Sequence, residues 1–345
     1  MKKKLISVIK LFSALGLGIF IVYLSLKDLS PEAKQDIIHS FKIANYWWVF
    51  FSIALGILSH IVRAARWKIL LQPMGYYPSL KSNFLAVMVG YFANLGVPRS
   101  GEVARCSVLY KEESIPVDKS FGTVIIERSI DMVVFFSLFF ITLFVEYGRL
   151  NEYVKTHIYP AINSKFAFLS TNMLFGKLLL ASIVLLTLVY FIFRKRIRRS
   201  SIYKKTKKVL SGIWEGLKSI AKIKRPGLFV IYSLLIWLLY YLMIYTCLFS
   251  LPQTSSLGIS AALTVLVLGS IGIMITPGGI GLYPVIVAQT LVLYGISKES
   301  GYGDAIGWIT WGAQTLMIIV LGAASLIILS LRKKKTYDTP SESKV

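Results

Sequence analysis

The sequence predicts an all-α protein, a polytopic bundle of transmembrane helices. Of its 345 residues, 55% are hydrophobic and only 16% are charged, whereas soluble domains carry roughly 25% charged residues. The apolar residues come in runs of about 20, which is the length that crosses a bilayer as a helix. The net charge is +23, and most basic residues flank the apolar runs, which is how membrane proteins orient themselves. With only two cysteines, a disulfide scaffold is excluded.

Apolar segments of membrane-spanning character predict about eight spans. They cover residues 5–26, 47–61, 121–147, 173–193, 227–251, 257–275, 283–296 and 305–331. The first follows a run of lysines as a signal peptide would. No cleavage site of small residues comes after it, so we expect it to remain as an uncleaved helix.

A further apolar segment, 83–97, has only about 15 residues, which is short for a span. It contains Gly90 and Gly96 and is followed by Pro98 and Arg99. Because broken backbone is tolerated at membrane depth only inside protein or beside a water-filled cavity, we predict a re-entrant half-helix here.

The basic residues predict the orientation, since loops rich in lysine and arginine stay cytoplasmic. The basic segments are the N-terminal lysines, 63–81, 99–119, 194–225 and 332–335, and the segments poor in net charge are 27–46, 148–172, 251–256 and 298–304. If 83–110 re-enters, these segments alternate between the two sides without conflict. We therefore expect a multi-pass protein of the bacterial inner membrane with both termini in the cytoplasm.

The chain predicts a single transmembrane domain over residues 1–335, followed by a disordered cytoplasmic tail over 336–345. The longest hydrophilic stretch is the basic loop 194–226. We interpret this loop as an orientation determinant lying on anionic headgroups, with a dedicated nucleic-acid or partner site as the alternative. Its aromatic residues, Tyr203 and Trp214, are too sparse for a base-stacking surface, so we expect no nucleic-acid partner.

Signatures of a self-contained enzyme are missing from the sequence. His39, His60 and His157 are scattered, without the spacing of metal ligands. There is no glycine-rich loop followed by Lys-Ser/Thr and no Gly-x-Ser-x-Gly. We expect no cofactor and no metal, and an enzyme assembled at the membrane surface remains open.

Ionisable residues within the apolar regions form the first candidate site. A charge at the centre of a membrane helix costs about 2.5–3.5 kcal/mol on insertion scales, so such groups usually pair and face the bundle interior. One interpretation is an anion site, because guanidinium groups bind phosphate through two parallel hydrogen bonds. The other is an ion-pair cluster that only fixes the packing. The ionisable residues are Arg99, Glu102, Arg105, Glu127, Arg128 and Asp131, and Asn94 completes the candidate site.

A break in the second half of the chain forms the other candidate. Its residues are Pro277, Gly278, Gly279 and Gly281. A helix that restarts after this break would direct its free N–H groups and positive dipole end into a cavity, although a kink for packing is the alternative. Short interrupted segments in both halves are typical of inverted-repeat transporters. We therefore expect both breaks to face one cavity near the middle of the membrane.

These motifs resemble a known family, the transmembrane region of lysylphosphatidylglycerol synthases and stand-alone flippase-like membrane proteins. The resemblance covers roughly residues 10–331. It implies movement of aminoacylated phospholipid between leaflets, and some relatives accompany glycosyltransferases that use polyprenyl-phosphate lipids. The matching motifs are Arg66-Trp67 with Leu70-Leu71, Asn94-x-x-x-Pro98-Arg99-x-Gly101-Glu102-x-x-Arg105, Glu127-Arg128-x-x-Asp131 and Pro277-Gly278-Gly279-x-Gly281.

The sequence departs from the family in two respects. The soluble aminoacyl-transfer domain of the bifunctional members is missing, so we expect no synthesis of lysylphosphatidylglycerol. The family often has glutamate three residues after the last glycine of the second motif, where this chain has Pro284. No role of that carboxylate is therefore carried over.

The leading expectation is a protein that binds and flips a lipid: an anionic or aminoacylated phospholipid, or a polyprenyl-phosphate lipid. Arg99, Arg105 and Arg128 would contact phosphate, and the carboxylates would hold those arginines or a cationic headgroup. Alternatives are an enzyme or membrane subunit of lipid-linked glycosyl or aminoacyl transfer, with Glu102 or Asp131 as base, and a non-transporting scaffold. A separately encoded transferase is a possible partner in the first two cases.

Overall fold

The computed structural model describes residues 31–97, 99–153, 155 and 223–332, and within them it contains helices and turns but no strand. The predicted all-α class is thereby confirmed. The predicted spans 5–26 and 173–193, most of the basic loop 194–226 and the tail 336–345 lie outside the described residues. The helices are α1 (Pro31–Ile43), α2 (Tyr46–Leu71), α3 (Leu80–Gly96), α4 (Gly101–Glu113), α5 (Val117–Val145), α6 (Tyr147–Tyr153), α7 (Pro226–Leu248), α8 (Ile259–Ile275), α9 (Leu282–Val292) and α10 (Tyr302–Leu331).

Four of these helices, α2, α5, α7 and α10, are long and apolar enough to cross a membrane by length and composition. Large apolar side chains are exposed along them, among them Phe51 on α2, Phe140 on α5 and Ile231 on α7. Exposed apolar surface of this extent is what lipid tails would cover. The polytopic bundle expected from the apolar runs is therefore present.

Helix α2 continues about ten residues beyond the predicted end near Ile61. The sequence predicts that Arg63 and Arg66 lie in a basic flank beyond this end, and that prediction is wrong. Both side chains are buried and face carboxylates on α5. Because partners neutralise them, the helix can carry these charges inside the bundle without ending.

The predicted re-entrant segment forms one arm of a helical hairpin, α3–α4, whose arms run antiparallel. At the open end, the Ser79 N–H donates to Glu113 Oε1 at 3.2 Å. At the tip, the Gly101 N–H donates to Asn94 Oδ1 at 2.7 Å. The chain thus enters and leaves the bundle at the same end, as a re-entrant segment does.

The predicted spans 257–275 and 283–296 form a second hairpin, α8–α9. Thr264 Oγ1 and the Tyr294 hydroxyl lie 2.7 Å apart at its open end. Near its tip, Tyr283 packs against Gly269 and Gly272, which have no side chain to obstruct it. Helix α9 has 11 residues, about 16 Å, which is too short to cross a hydrocarbon core of about 30 Å. The two segments therefore enter and return together.

The described helices repeat one order: a long helix, a short hairpin and a second long helix. The first set is α2, α3–α4 and α5, and the second is α7, α8–α9 and α10. Helices α2 and α7 run antiparallel, since Ser52 bonds Met243 near one end and Arg66 bonds Ser233 nearer the other. In an inverted repeat, corresponding elements run in opposite directions, as these two helices do.

The two hairpins open at opposite ends of α10 and meet beside its middle. Arg332 at the end of α10 pairs with Glu112 at the open end of α3–α4, at 2.7 Å. Gly303 near the start of α10 packs against Ala288 of the second hairpin. Between them, Gly278 lies so close to Leu95 that a Cβ on it would be 2.8 Å from Leu95 Cδ2. The two helix breaks therefore contact each other inside the bundle.

Small residues allow this close packing. A Cβ on Gly307 would come within 2.8 Å of the Pro284 backbone, and one on Gly322 within 2.5 Å of Phe92 Cβ. Membrane helices pack closely through such positions because lipid tails give apolar side chains no preference for protein over bilayer. The glycines of α10 thus fix α10 against both hairpins.

Candidate functional site

A network of charged side chains is buried between α2, α4 and α5. On α5, Glu127 and Asp131 are four residues apart, and on α2, Arg63 and Arg66 are three apart, so each pair shares one helix face. Arg105 of α4 faces the same carboxylates. The side chains of Arg66 and Glu127 are 0% exposed, and those of Arg63, Arg105 and Asp131 are at most 10% exposed.

The arginines occupy every oxygen of the two buried carboxylates. Asp131 accepts from Arg63 at 2.9 Å on Oδ2 and from Arg66 at 2.7 Å on Oδ1. Glu127 accepts from Arg66 at 3.4 Å on Oε1 and from Arg105 on Oε2. Arg66 therefore bridges both carboxylates and links α2 to α5 at two points.

Helix α7 and aromatic rings complete the surroundings of the arginines. Arg66 also donates to Ser233 Oγ at 3.1 Å, and Arg63 donates to the Tyr240 hydroxyl at 3.0 Å. The Arg105 guanidinium lies 4.5 Å from the Trp67 ring centroid, within the range of a cation–π interaction. These contacts hold the guanidinium groups in fixed orientations.

Arg128 and Glu102 form the accessible edge of the network. The Arg128 side chain is 43% exposed and that of Glu102 is 23% exposed. Arg128 lies 3.8 Å from Glu102 Oε1 and 3.9 Å from Asp131 Oδ2, which is beyond hydrogen-bond distance. The Arg128 Nε and Glu102 Oε2 atoms are buried without a hydrogen-bond partner among the described residues. This edge therefore has hydrogen-bonding capacity that the described protein does not use.

Arg99 lies outside this network, although the sequence analysis grouped it with the other charged residues. It is exposed in the turn between α3 and α4, with a φ of +62°. This left-handed backbone conformation is uncommon for residues other than glycine. It makes no hydrogen bond or ion pair with any described residue. This residue therefore lies in the turn before α4 and not on the buried face of that helix, where Arg105 lies.

Asn94 stabilises the tip of the first hairpin and has no recorded contact with the charged network. Its side chain accepts from the Gly101 N–H, and a Cβ on Gly101 would lie 2.1 Å from the Gly90 carbonyl oxygen. The arms α3 and α4 can approach this closely only because both positions are glycine. The resulting packing places Arg105, one turn further along α4, against Gly90 and beside Glu127.

The second break is a compact turn. Gly278, Gly279 and Gly281 all have positive φ, at +59°, +76° and +74°, which side chains disfavour. The Gly278 carbonyl accepts from Trp311 Nε1 at 2.8 Å, and Pro277 is buried. A Cβ on Gly279 would be 3.1 Å from both Ile273 Cγ1 and Tyr283 Cβ. This glycine faces packed side chains of its own hairpin.

The structure thus divides the sequence-predicted residues into two groups. Glu102, Arg105, Glu127, Arg128 and Asp131 lie together in the charged network. Asn94, Arg99 and the residues of the second break lie at the hairpin tips, which touch through Leu95 and Gly278. Within the described residues, the hydrogen-bond and ion-pair partners of the network come from α2, α4, α5 and α7, and Tyr91 of α3 adds a ring whose centroid lies 5.9 Å from the Arg63 guanidinium.

Sequence reasoning missed Arg63 and Arg66 as members of the network, together with Tyr240. A signal was available, because Ala64, Trp67 and Leu71 continue the apolar helical periodicity of α2 past both arginines. An arginine within a continuing helix pattern indicates a buried partner, whereas an arginine after the pattern has ended indicates a flank.

Comparison with known proteins agrees with this architecture. The family model described as the lysylphosphatidylglycerol synthase TM region matches residues 11–322. The chain is 37% identical over 116 residues to the UPF0104 membrane protein MJ1595 of Methanocaldococcus jannaschii. That match covers 32% of this chain and 34% of the relative, so the chain spans about a third of its length. No solved structure matches. Since the family model covers most of the sequence, this membrane protein belongs to the lysylphosphatidylglycerol synthase transmembrane-region family.

Proposed function

We propose that this protein binds the headgroup of a phospholipid or polyprenyl-phosphate lipid and moves it between the two leaflets. The observation that carries the proposal is the buried arginine network with its accessible edge at Arg128 and Glu102. Ionisable groups inside a membrane bundle are expensive to maintain and usually serve a transported or bound group. An ion-pair cluster that only fixed packing would not need a half-exposed guanidinium that makes no hydrogen bond to the described residues.

The two hairpins supply the element that would move. Each ends in a broken backbone inside the bundle, and their tips touch where Leu95 meets Gly278. In this proposal, the contact between the tips separates a headgroup bound at Arg128 from the far leaflet. Small displacements of the tips would open a path past it, since rocking of one repeat against the other is how inverted-repeat transporters expose a central site.

The orientation that we propose places both termini in the cytoplasm of a bacterial cell, with one membrane domain over residues 1–335. The basic residues support it. Lys111, Lys119 and Arg332 lie around the open end of the first hairpin, and basic residues resist translocation. The second hairpin then opens on the outer side.

A reconstituted flipping assay tests the proposal. Protein in liposomes is given a fluorescent phospholipid, and dithionite reports the fraction that reaches the outer leaflet over time. We expect the wild-type protein to accelerate exchange and the double variant Glu102→Gln/Arg128→Gln to lose this activity, because the accessible edge is removed without a net change of charge.

The double variant Glu112→Gln/Arg332→Gln is the matched control. It removes an ion pair of 2.7 Å at the open end of the first hairpin, away from the network, and should retain flipping. Wild-type protein that leaves the exchange rate of every lipid at the level of empty liposomes would contradict the proposal. Equal flipping activity of the two double variants would show that the network takes no part in flipping.

A further inference from the structure

We infer that the charged network selects headgroups by charge: its ligand is an anionic phosphate without a compensating cation, and Arg128 is the residue that contacts it. This inference rests on the proposed function and specifies the substrate class of the same site. A phosphodiester of a phospholipid and the phosphate of a polyprenyl lipid share this chemistry.

The charge balance of the network is the first argument. Within the described residues, four guanidinium groups face three carboxylates, so this network carries one positive charge in excess. The four arginines are Arg63, Arg66, Arg105 and Arg128, and the three acids are Glu102, Glu127 and Asp131. An unbalanced charge in a low-dielectric interior is unfavourable, and a singly charged phosphate would neutralise it.

The occupancy of the carboxylates is the second argument. A cationic headgroup would need a carboxylate oxygen with free capacity. All four oxygens of Glu127 and Asp131 already accept hydrogen bonds from arginines. Among the described residues, the remaining acid of the network is Glu102, and it lies beside Arg128, so an ammonium group there would meet a guanidinium at close range.

The accessibility of the guanidinium groups identifies the contacting residue. Arg63, Arg66 and Arg105 are at most 5% exposed and are committed to the carboxylates. Arg128 is 43% exposed and its ion pairs are longer than hydrogen bonds. Its planar group can therefore turn its N–H donors to two oxygens of one phosphate, which is the geometry that guanidinium provides and an ammonium does not.

Relative binding constants of spin-labelled lipids test the inference on the purified full-length protein in phosphatidylcholine nanodiscs. We expect phosphatidylglycerol to be preferred over a cationic trimethylammonium lipid without phosphate by about tenfold or more, because like-charge contact at an interface costs several kcal/mol. Arg128→Gln should abolish this preference. Unlabelled polyprenyl phosphate is then added as a competitor. If it displaces phosphatidylglycerol, the polyprenyl lipid is the tighter-binding phosphate; if it does not, the phospholipid is the tighter-binding one.

Two further variants separate the site from the general attraction of a basic protein for anionic lipid. Arg149→Gln removes an arginine that is 51% exposed and pairs with Glu146, and it should keep the preference. Glu102→Gln adds to the positive excess and should increase the preference several-fold, whereas a residue needed only for packing would leave it unchanged or lower it.

The outcomes distinguish this inference from the proposed function. Equal binding of the cationic lipid, or an unchanged preference in Arg128→Gln, would overturn the inference while flipping persisted. Absence of flipping for every lipid in liposomes would overturn the proposed function and the inference together.

Discussion

Asp131 offers the sharpest test of the buried network. The substitution Asp131→Asn keeps the shape of the side chain but removes the charge that both Arg63 and Arg66 contact, at 2.9 and 2.7 Å. Two guanidinium groups then remain in the interior without their shared partner.

The expected cost follows from these two contacts. A hydrogen bond to a charged group contributes about 1.5–3 kcal/mol, and breaking a buried ion pair by removing one partner costs about 3–5 kcal/mol. Both routes give a loss of about 3–5 kcal/mol in the free energy of unfolding. The control Lys224→Gln removes an exposed hydrogen bond to the Tyr77 hydroxyl and should cost less than about 1 kcal/mol.

Unfolding in mixed micelles at increasing denaturant, followed by tryptophan fluorescence, measures both variants. The double variant Arg63→Met/Asp131→Leu should cost less than Asp131→Asn alone, because Arg66 retains Glu127 and the unpaired charge is smaller. A loss below about 1 kcal/mol for Asp131→Asn, or a double variant that is worse than the single one, would refute the buried-charge reasoning.

Three more predictions concern the hairpins and the orientation. Gly101→Ala should disrupt the first hairpin, since its Cβ would lie 2.1 Å from a carbonyl oxygen, whereas the Cβ of the control Gly96→Ala meets nothing within 4 Å. The midpoints of thermal unfolding compare the two variants, and equal midpoints would contradict this packing. Gly279→Ala should destabilise the second tip by about 1–3 kcal/mol because of the positive φ at this position. Denaturant unfolding in mixed micelles measures this loss, and an unchanged midpoint would show that the turn is not rigid. In spheroplasts that express a protein without other cysteines, an impermeant thiol reagent should label a cysteine introduced at Ser255 and spare one introduced at Met74. The reverse labelling pattern would show that the topology is inverted.

The fold was predictable to the extent that it depends on the length and composition of apolar segments. The helix break after Gly96 could be read from glycine, proline and length alone, because these features act locally. The second hairpin was predicted as two spans, since the apolar run 257–275 is long enough to cross. Its return depends on the packing of Tyr283 against Gly269 and Gly272, which is a tertiary contact.

The sequence was sufficient to predict that a buried charged site exists, but not which residues form it. Spacing identified Glu127 and Asp131 as neighbours on one helix face, and their burial calls for cationic partners. Those partners include Arg63 and Arg66, which are more than 60 residues away in sequence. Arg99 was grouped with the site because it precedes Glu102 by three residues, but α4 begins only at Gly101, so Arg99 lies in the turn and not on a face of that helix.

The contact between the hairpin tips allows the most direct test of lipid translocation. Cysteines at Leu95 and Gly278, in a protein without Cys106 and Cys247, can be joined by a short thiol crosslinker that a reductant cleaves. We predict that the uncrosslinked protein in liposomes flips a fluorescent phospholipid, that crosslinking arrests flipping, and that reduction restores it. Flipping at the same rate in the crosslinked and the reduced protein would contradict the account.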